Sequence, residues 1–166
     1  LKLFMSGNGA STYKLLCDHQ LFDQLVPQVA HLIKDGSNNA ARLIEQAFIN
    51  TDIRISSNKR VTPAFIYAAL LWPAVEKLAA YYTDRGSSPT YALSKAAGEV
   101  IAKQISVTAI PRRFTMPMRE IWDLQLQLPR RGGHRAKRAT VFRGSIGLGI
   151  PCLVLARATA FPKNDN

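Results

Sequence analysis

Apolar positions recur at spacings of three and four over most of the first 130 residues, and that period predicts a succession of amphipathic helices rather than strands. Tyr13, Leu15, Leu16, Leu21, Phe22 and Leu25 mark a first helix, with Ser11 or Thr12 as its capping residue. Pro27 opens a second, short helix through Val29, Leu32 and Ile33, and Asp35-Gly36-Ser37-Asn38 closes it. Residues 40–55 carry a stronger stripe of Ile44, Phe48, Thr51 and Ile55. After a loop bearing Lys59 and Arg60, Thr62-Pro63 starts a helix whose main stripe is Phe65, Ala69, Trp72, Val75, Ala79 and Tyr82. Ile66, Leu70 and Leu71 make that helix apolar nearly all round, which predicts the central buried element. A break at Arg85–Pro89 precedes a further helix over 91–107, in which Glu99 and Lys103 stand one turn apart.

The stretch 110–138 joins the last helix to a dense basic run. Phe114, Met118, Ile121, Trp122, Leu124 and Leu128 share one face. Pro117 removes an N–H from the middle of this stretch, so residues 110–116 read as a turn or half-helix, with the main helix starting near Pro117. Pro129 then ends or bends it. Arg130, Arg131, Arg135, Lys137 and Arg138 follow within nine residues, with His134 among them and no acid. Arg112, Arg113 and Arg119 upstream can add to the same field. A phosphate backbone is the usual partner of such a cluster, because each neutralised phosphate releases counterions. The competing reading is a solvated face or a basic tail, and charge alone leaves both open. From Thr140 the helical stripe stops. Three glycines fall between Arg143 and Ile150, and the segment to Asn166 is expected to be weakly ordered or a local strand pair.

Composition narrows the classes. At 166 residues, 47% apolar and 20% charged, the chain is long enough for one domain with a core. Its net charge of +11 is unevenly spread. Residues 1–129 hold 14 Lys+Arg against 10 Asp+Glu, a balance of +4, and residues 130–166 hold 8 against 1, a balance of +7. That asymmetry favours nucleic acid or an anionic surface as partner. Cys17 and Cys152 lack a Cys-x-x-Cys context and read as ordinary thiols. No apolar run is long enough to span a bilayer, and a cytoplasmic location is the expectation.

Catalytic signatures are missing. A two-metal nucleotidyl-transfer site needs carboxylates held close together. The sequence has no Asp-x-Asp, and neither Gly86-Ser87 nor Gly144-Ser145 has partner acids at useful spacing. His19, His31 and His134 are scattered and make no zinc motif. Gly7-Asn8-Gly9 reads as a turn, because no strand precedes it to make a phosphate loop.

Five ordered stretches nevertheless resemble one family: RLIEQAFINTD (42–52), VTPAFIYAALLW (61–72), AIPRRF (109–114), REIWDLQLQL (119–128) and RRGGHRA (130–136). They are similar to the C-terminal half of bacterial poly(A) polymerases, in the tRNA nucleotidyltransferase/poly(A) polymerase family. The resemblance covers residues 1 to about 138. It implies an all-α bundle of about six to seven helices with a basic C-terminal segment. It implies a whole enzyme that adds adenylates from ATP to RNA 3′ ends with Mg²⁺, its catalytic head lying upstream of Leu1. By position it places the RNA-contacting segment on Arg130, Arg131, Arg135, Lys137 and Arg138, and RNA is the expected partner. Nothing assigns partners in the RNA-degradation machinery. The chain then divides into a helical region, 1–138, and an atypical tail, 139–166. Pro117 and the tail depart from the family pattern, and a shift of reading frame is the favoured explanation of the tail. The reading from a different class is a stand-alone helical adaptor whose basic face meets an acidic protein or anionic lipid.

Overall fold

The structure is a computed structural model that describes residues 2–131, with side chains described as far as Leu126. A short 3-10 helix (Lys2–Met5) is followed by seven α-helices: α1 (Gly9–Asp18), α2 (Leu21–Leu25), α3 (Pro27–Lys34), α4 (Asn38–Ser56), α5 (Pro63–Asp84), α6 (Pro89–Ile105) and α7 (Arg112–Arg131). No strand occurs among the described residues, so the fold is all-α, as the periodicity predicts.

α5 is the centre. Pro63 occupies its first turn, where a missing N–H costs nothing. Phe65, Ile66, Leu71, Trp72 and Val75 are all buried. Pro73 also lies inside α5, where it deprives one carbonyl of its helical partner, yet the helix continues through it. α5 packs against α6, α7, α3 and α4. A smaller aromatic cluster ties the N-terminal helices to α4. Phe4 stacks on Phe48 with ring centroids 4.5 Å apart, and Tyr13 meets the edge of Phe22 at 5.1 Å.

Buried polar groups find partners inside the fold. Thr51 is buried and donates to the Ala47 carbonyl one turn back (2.8 Å). Gln104 is buried in α6 and donates to the Leu25 carbonyl (2.7 Å), while its Oε1 accepts from Gln28 (3.4 Å). These contacts pin α6 to the α2–α3 corner across more than 70 residues of sequence.

Three expectations need correction. The stripe from Tyr13 to Leu25 is not one helix. Gln20 adopts a left-handed conformation (φ 57°), and the chain turns there so that Phe22 folds back against Tyr13. Leu15, Leu21 and Leu25 are left exposed. Neither Ser11 nor Thr12 caps α1. Thr12 Oγ1 donates to the Asn8 carbonyl, and the open N–H groups of Gly9 and Ala10 are met by the Asp52 carboxylate from α4 (2.7 and 3.0 Å). Finally, α7 does not begin near Pro117. It starts at Arg112 and runs without interruption through Pro117 and Pro129 to Arg131. Burial of Met118, Ile121 and Trp122 against the core outweighs the local cost of the prolines. The segment 140–166, for which weak order or a strand pair is expected, lies outside the described residues.

Candidate nucleic-acid interface

α7 is held by an anchor in its middle. Trp122 is fully buried and its Nε1–H donates to the carbonyl of Ala68 in α5 (3.1 Å). Near its start, Phe114 packs against Tyr67 with ring centroids 6.1 Å apart, and the Tyr67 hydroxyl donates to the Ala109 carbonyl (3.4 Å). With 3.6 residues per turn, the buried positions 118, 121, 122 and 125 define an inward face about 100° wide. Positions 112, 119 and 130 fall on one line on the other side, within about 20° of one another. Positions 113 and 131 form a second line beside it, about 100° further round. All five are arginines. The continuous helix therefore sets positions 112, 113, 130 and 131 away from the buried face, with 119 at its edge beside α6.

They are aligned without being clustered. Arg112 and Arg131 are 19 residues apart, about 28 Å of helix, against a screening length of about 8 Å at physiological salt. A ligand feels them as one field only if it runs along the helix. Arg112 and Arg113 are exposed, and the Arg113 guanidinium sits 4.8 Å from the Phe114 ring centre. Arg119 is half-buried in a shallow groove shared with Ser94 and Ala97 of α6 and with Glu120 and Asp123. Gly98 of α6 leaves it room, since a Cβ there would lie 3.3 Å from the guanidinium. Burial raises the Asp123 carboxyl pKa, while Arg119 pulls it down and Glu120 pushes it up.

Lys59 and Arg60 lie in the exposed loop that ends α4, where Asn58 takes a left-handed conformation (φ 55°). That loop leads into the N-terminal end of α5, beside the start of α7. Arg130 and Arg131 occupy the last turn of α7. Arg135, Lys137 and Arg138 lie outside the described residues.

Sequence reading missed a second cationic group, at the α5–α6 turn. The Arg85 guanidinium lies 4.0 Å from the centre of the Tyr81 ring, and the Lys95 ammonium 4.2 Å from that of Tyr82. The Tyr82 hydroxyl donates to Glu99 (2.8 Å). Its signal in the sequence is a Tyr-Tyr doublet followed at short range by Arg85, Tyr91 and Lys95. Stripe counting absorbs Tyr82 into the core of α5 and does not weigh the others.

No group of three or more His, Cys, Asp or Glu side chains that could hold a metal ion occurs among the described residues. No helix among them is long and apolar enough to cross a membrane.

Residues 85–142, which take in α6, α7 and the whole basic run 130–138, match the family described as the polymerase A arginine-rich C-terminus. Over these residues the chain is similar to the C-terminal region of poly(A) polymerases. Residues 1–33 match a second description in the same family, the probable RNA and SrmB-binding site of polymerase A. The chain is 40% identical over 138 residues to poly(A) polymerase I of Escherichia coli O6:H1 and 38% identical over 138 residues to that of Salmonella typhi. It is 38% identical over 140 residues to that of Haemophilus influenzae. These matches cover 82–83% of the chain but only 30–31% of each relative, toward its C-terminal part. Their length, 138 to 140 residues, is close to that of the region before the tail.

Proposed function

We propose that the chain is the RNA-binding C-terminal portion of a polymerase that adds adenylates from ATP to RNA 3′ ends, and that it grips the RNA through its backbone. The observation that carries this reading is the register of arginine positions 112, 113, 119, 130 and 131 along the continuous α7, within the residues that match the arginine-rich C-terminus. Arginine suits phosphate because its planar fork donates in pairs. The RNA contacts are assigned to Arg130, Arg131, Arg135, Lys137 and Arg138, with Arg119, Arg112 and Arg113 extending the track. Lys59 and Arg60 are assigned to its far end. A single strand laid along α7 meets all of them, whereas a compact anion meets only a few.

Mg²⁺ and ATP are the cofactors expected of the whole polymerase. The proposal assigns both to the rest of the polymerase and derives no catalytic step for this chain. The cytoplasm is the compartment proposed. The match over residues 1–33 supports a protein partner at α1–α3 alongside RNA.

The test compares binding of the full chain to a 20-nucleotide RNA and to phosphatidylserine vesicles across a salt titration. The proposal expects RNA binding with a salt slope of several phosphates, each contributing about 0.7 for a single strand. Tighter binding to vesicles than to RNA at physiological salt favours the adaptor reading and contradicts this one.

A further inference from the structure

The tyrosine group at the α5–α6 turn exposes aromatic surface beyond what packs against the core. Tyr81 is 45% exposed and Tyr91 60%. Single exposed apolar residues are ordinary, but a group of rings with fixed orientations is not. The orientation is fixed from three directions. Arg85 covers Tyr81 at 4.0 Å, the Tyr81 and Tyr82 rings meet edge-on with centroids 5.5 Å apart, and Tyr82 is tethered through its hydroxyl to Glu99. Tyr91 stands one turn before Lys95 on α6, and the Lys95 ammonium sits over the Tyr82 ring.

The turn also stands at a telling end of the bundle. The groove between α6 and α7 sets Ser94 and Ala97 beside Arg119, Trp122 and Asp123, and the helices are joined at their other ends by residues 106–111. They therefore run antiparallel, and the last turn of α7 points toward the N-terminal end of α6. Arg130 and Arg131 lie on the side of the bundle that carries Tyr91 and the Arg85–Ser88 turn.

We propose that Tyr81, set by Arg85 and Tyr82, and Tyr91, one turn before Lys95 on α6, form a stacking platform for unpaired bases of single-stranded RNA whose backbone is held by the end of α7. This rests on the RNA reading above and adds a second recognition element to it. The physical division is between charge and stacking. The turn is close to neutral, with Arg85 and Lys95 set against Asp84 and Glu99, so its contribution does not come from counterion release. Every base has a π face, so stacking tolerates sequence, and it favours purines because they offer more area. A purine strand should thus bind more tightly than a uridine strand although both carry the same phosphates.

The test uses the full chain, with fluorescence anisotropy on three 20-unit probes: oligo(A), oligo(U) and an abasic ribose-phosphate strand. The Tyr81→Leu/Tyr91→Leu variant removes the π faces and keeps apolar bulk at two exposed positions. It should bind oligo(A) about tenfold or more weaker, with its salt slope unchanged and its affinity for the abasic strand unchanged. Its preference for oligo(A) over oligo(U) should collapse. In a second variant, Tyr91→Trp, binding should survive and oligo(A) should quench the new indole. The platform is contradicted if the double variant binds oligo(A) like the parent, if its loss is equal on the abasic strand, or if the Tyr91→Trp variant binds without a change in emission. If the parent holds the abasic strand as tightly as oligo(A), the platform fails and the phosphate track stands. If the parent holds none of the three probes, both fail.

Discussion

The Asp52 carboxylate accepts hydrogen bonds from the backbone N–H groups of Gly9 (2.7 Å) and Ala10 (3.0 Å), so a residue of α4 caps a helix that lies 43 positions earlier in the chain. The Gly-x-Gly turn before α1 is thereby occupied by the protein itself, and its first amides are not offered to a phosphate.

Because both bonds are charge-assisted, replacing Asp52 should be costly. Asp52→Ala is expected to lower unfolding free energy by about 1–3 kcal/mol, and Asp52→Asn by less, since one carbonyl oxygen remains. Urea denaturation of the two variants checks the order. Gly9→Ala should also destabilise. Its new Cβ would stand 3.1 Å from the Phe4 carbonyl oxygen and from Phe48 Cδ1, and 3.2 Å from Asp52 Oδ1. An Asp52→Ala protein with the parent's midpoint would show that the cap is not needed.

Trp72 and Trp122 are both core residues rather than base-stacking ones. Truncation of either to Ala should cost about 3–5 kcal/mol, a large part of a domain's stability. Trp122→Phe should cost less. It keeps most of the ring area and loses the hydrogen bond to Ala68, worth about 1 kcal/mol net. Thermal melts of the three variants are the measurement, and a Trp122→Ala protein melting with the parent would break the account of how α7 is anchored.

The helices were legible because their stripes are local. Phe65, Ala69, Trp72 and Val75 announce α5 from spacing alone. What was not legible is non-local. The Asp52 cap and the Gln104 cross-link to Leu25 join distant segments, and no window of sequence contains both partners. Pro117 misled for a related reason. Its local cost, about 3 kcal/mol, is visible in the sequence, while the burial of Met118, Ile121 and Trp122 that offsets it depends on where α5 and α6 lie. That one misreading hid the register of the site. With a helix starting at 117, positions 112 and 113 have no phase relation to 130 and 131. With the helix continuous, they fall on the same lines.

Glu76 gives a pH signature. Burial raises its carboxyl pKa above the ordinary value, so the folded state holds its proton more tightly than the unfolded state. Stability should therefore be greatest, as far as this group is concerned, below the unfolded pKa of about 4.3, and fall as pH rises to the folded value. Above that value the penalty is constant. Glu76→Gln removes it, and the variant should be more stable than the parent at pH 7, with the gap closing in acid. Urea midpoints at pH 7 and pH 4 decide this, and a less stable variant at pH 7 would contradict it.

The central claim is that the end of α7 grips RNA phosphates. The most direct test is the salt dependence of RNA binding by the Arg130→Ala/Arg131→Ala double variant of the full chain. If each arginine neutralises one phosphate of a single strand, the slope of log K against log salt should fall by about 1.4, or 0.7 for each. The loss of affinity should be similar for oligo(A), oligo(U) and mixed sequences, because phosphates carry no sequence information. An unchanged affinity with an unchanged slope would make this end of α7 a solvated face and contradict the account.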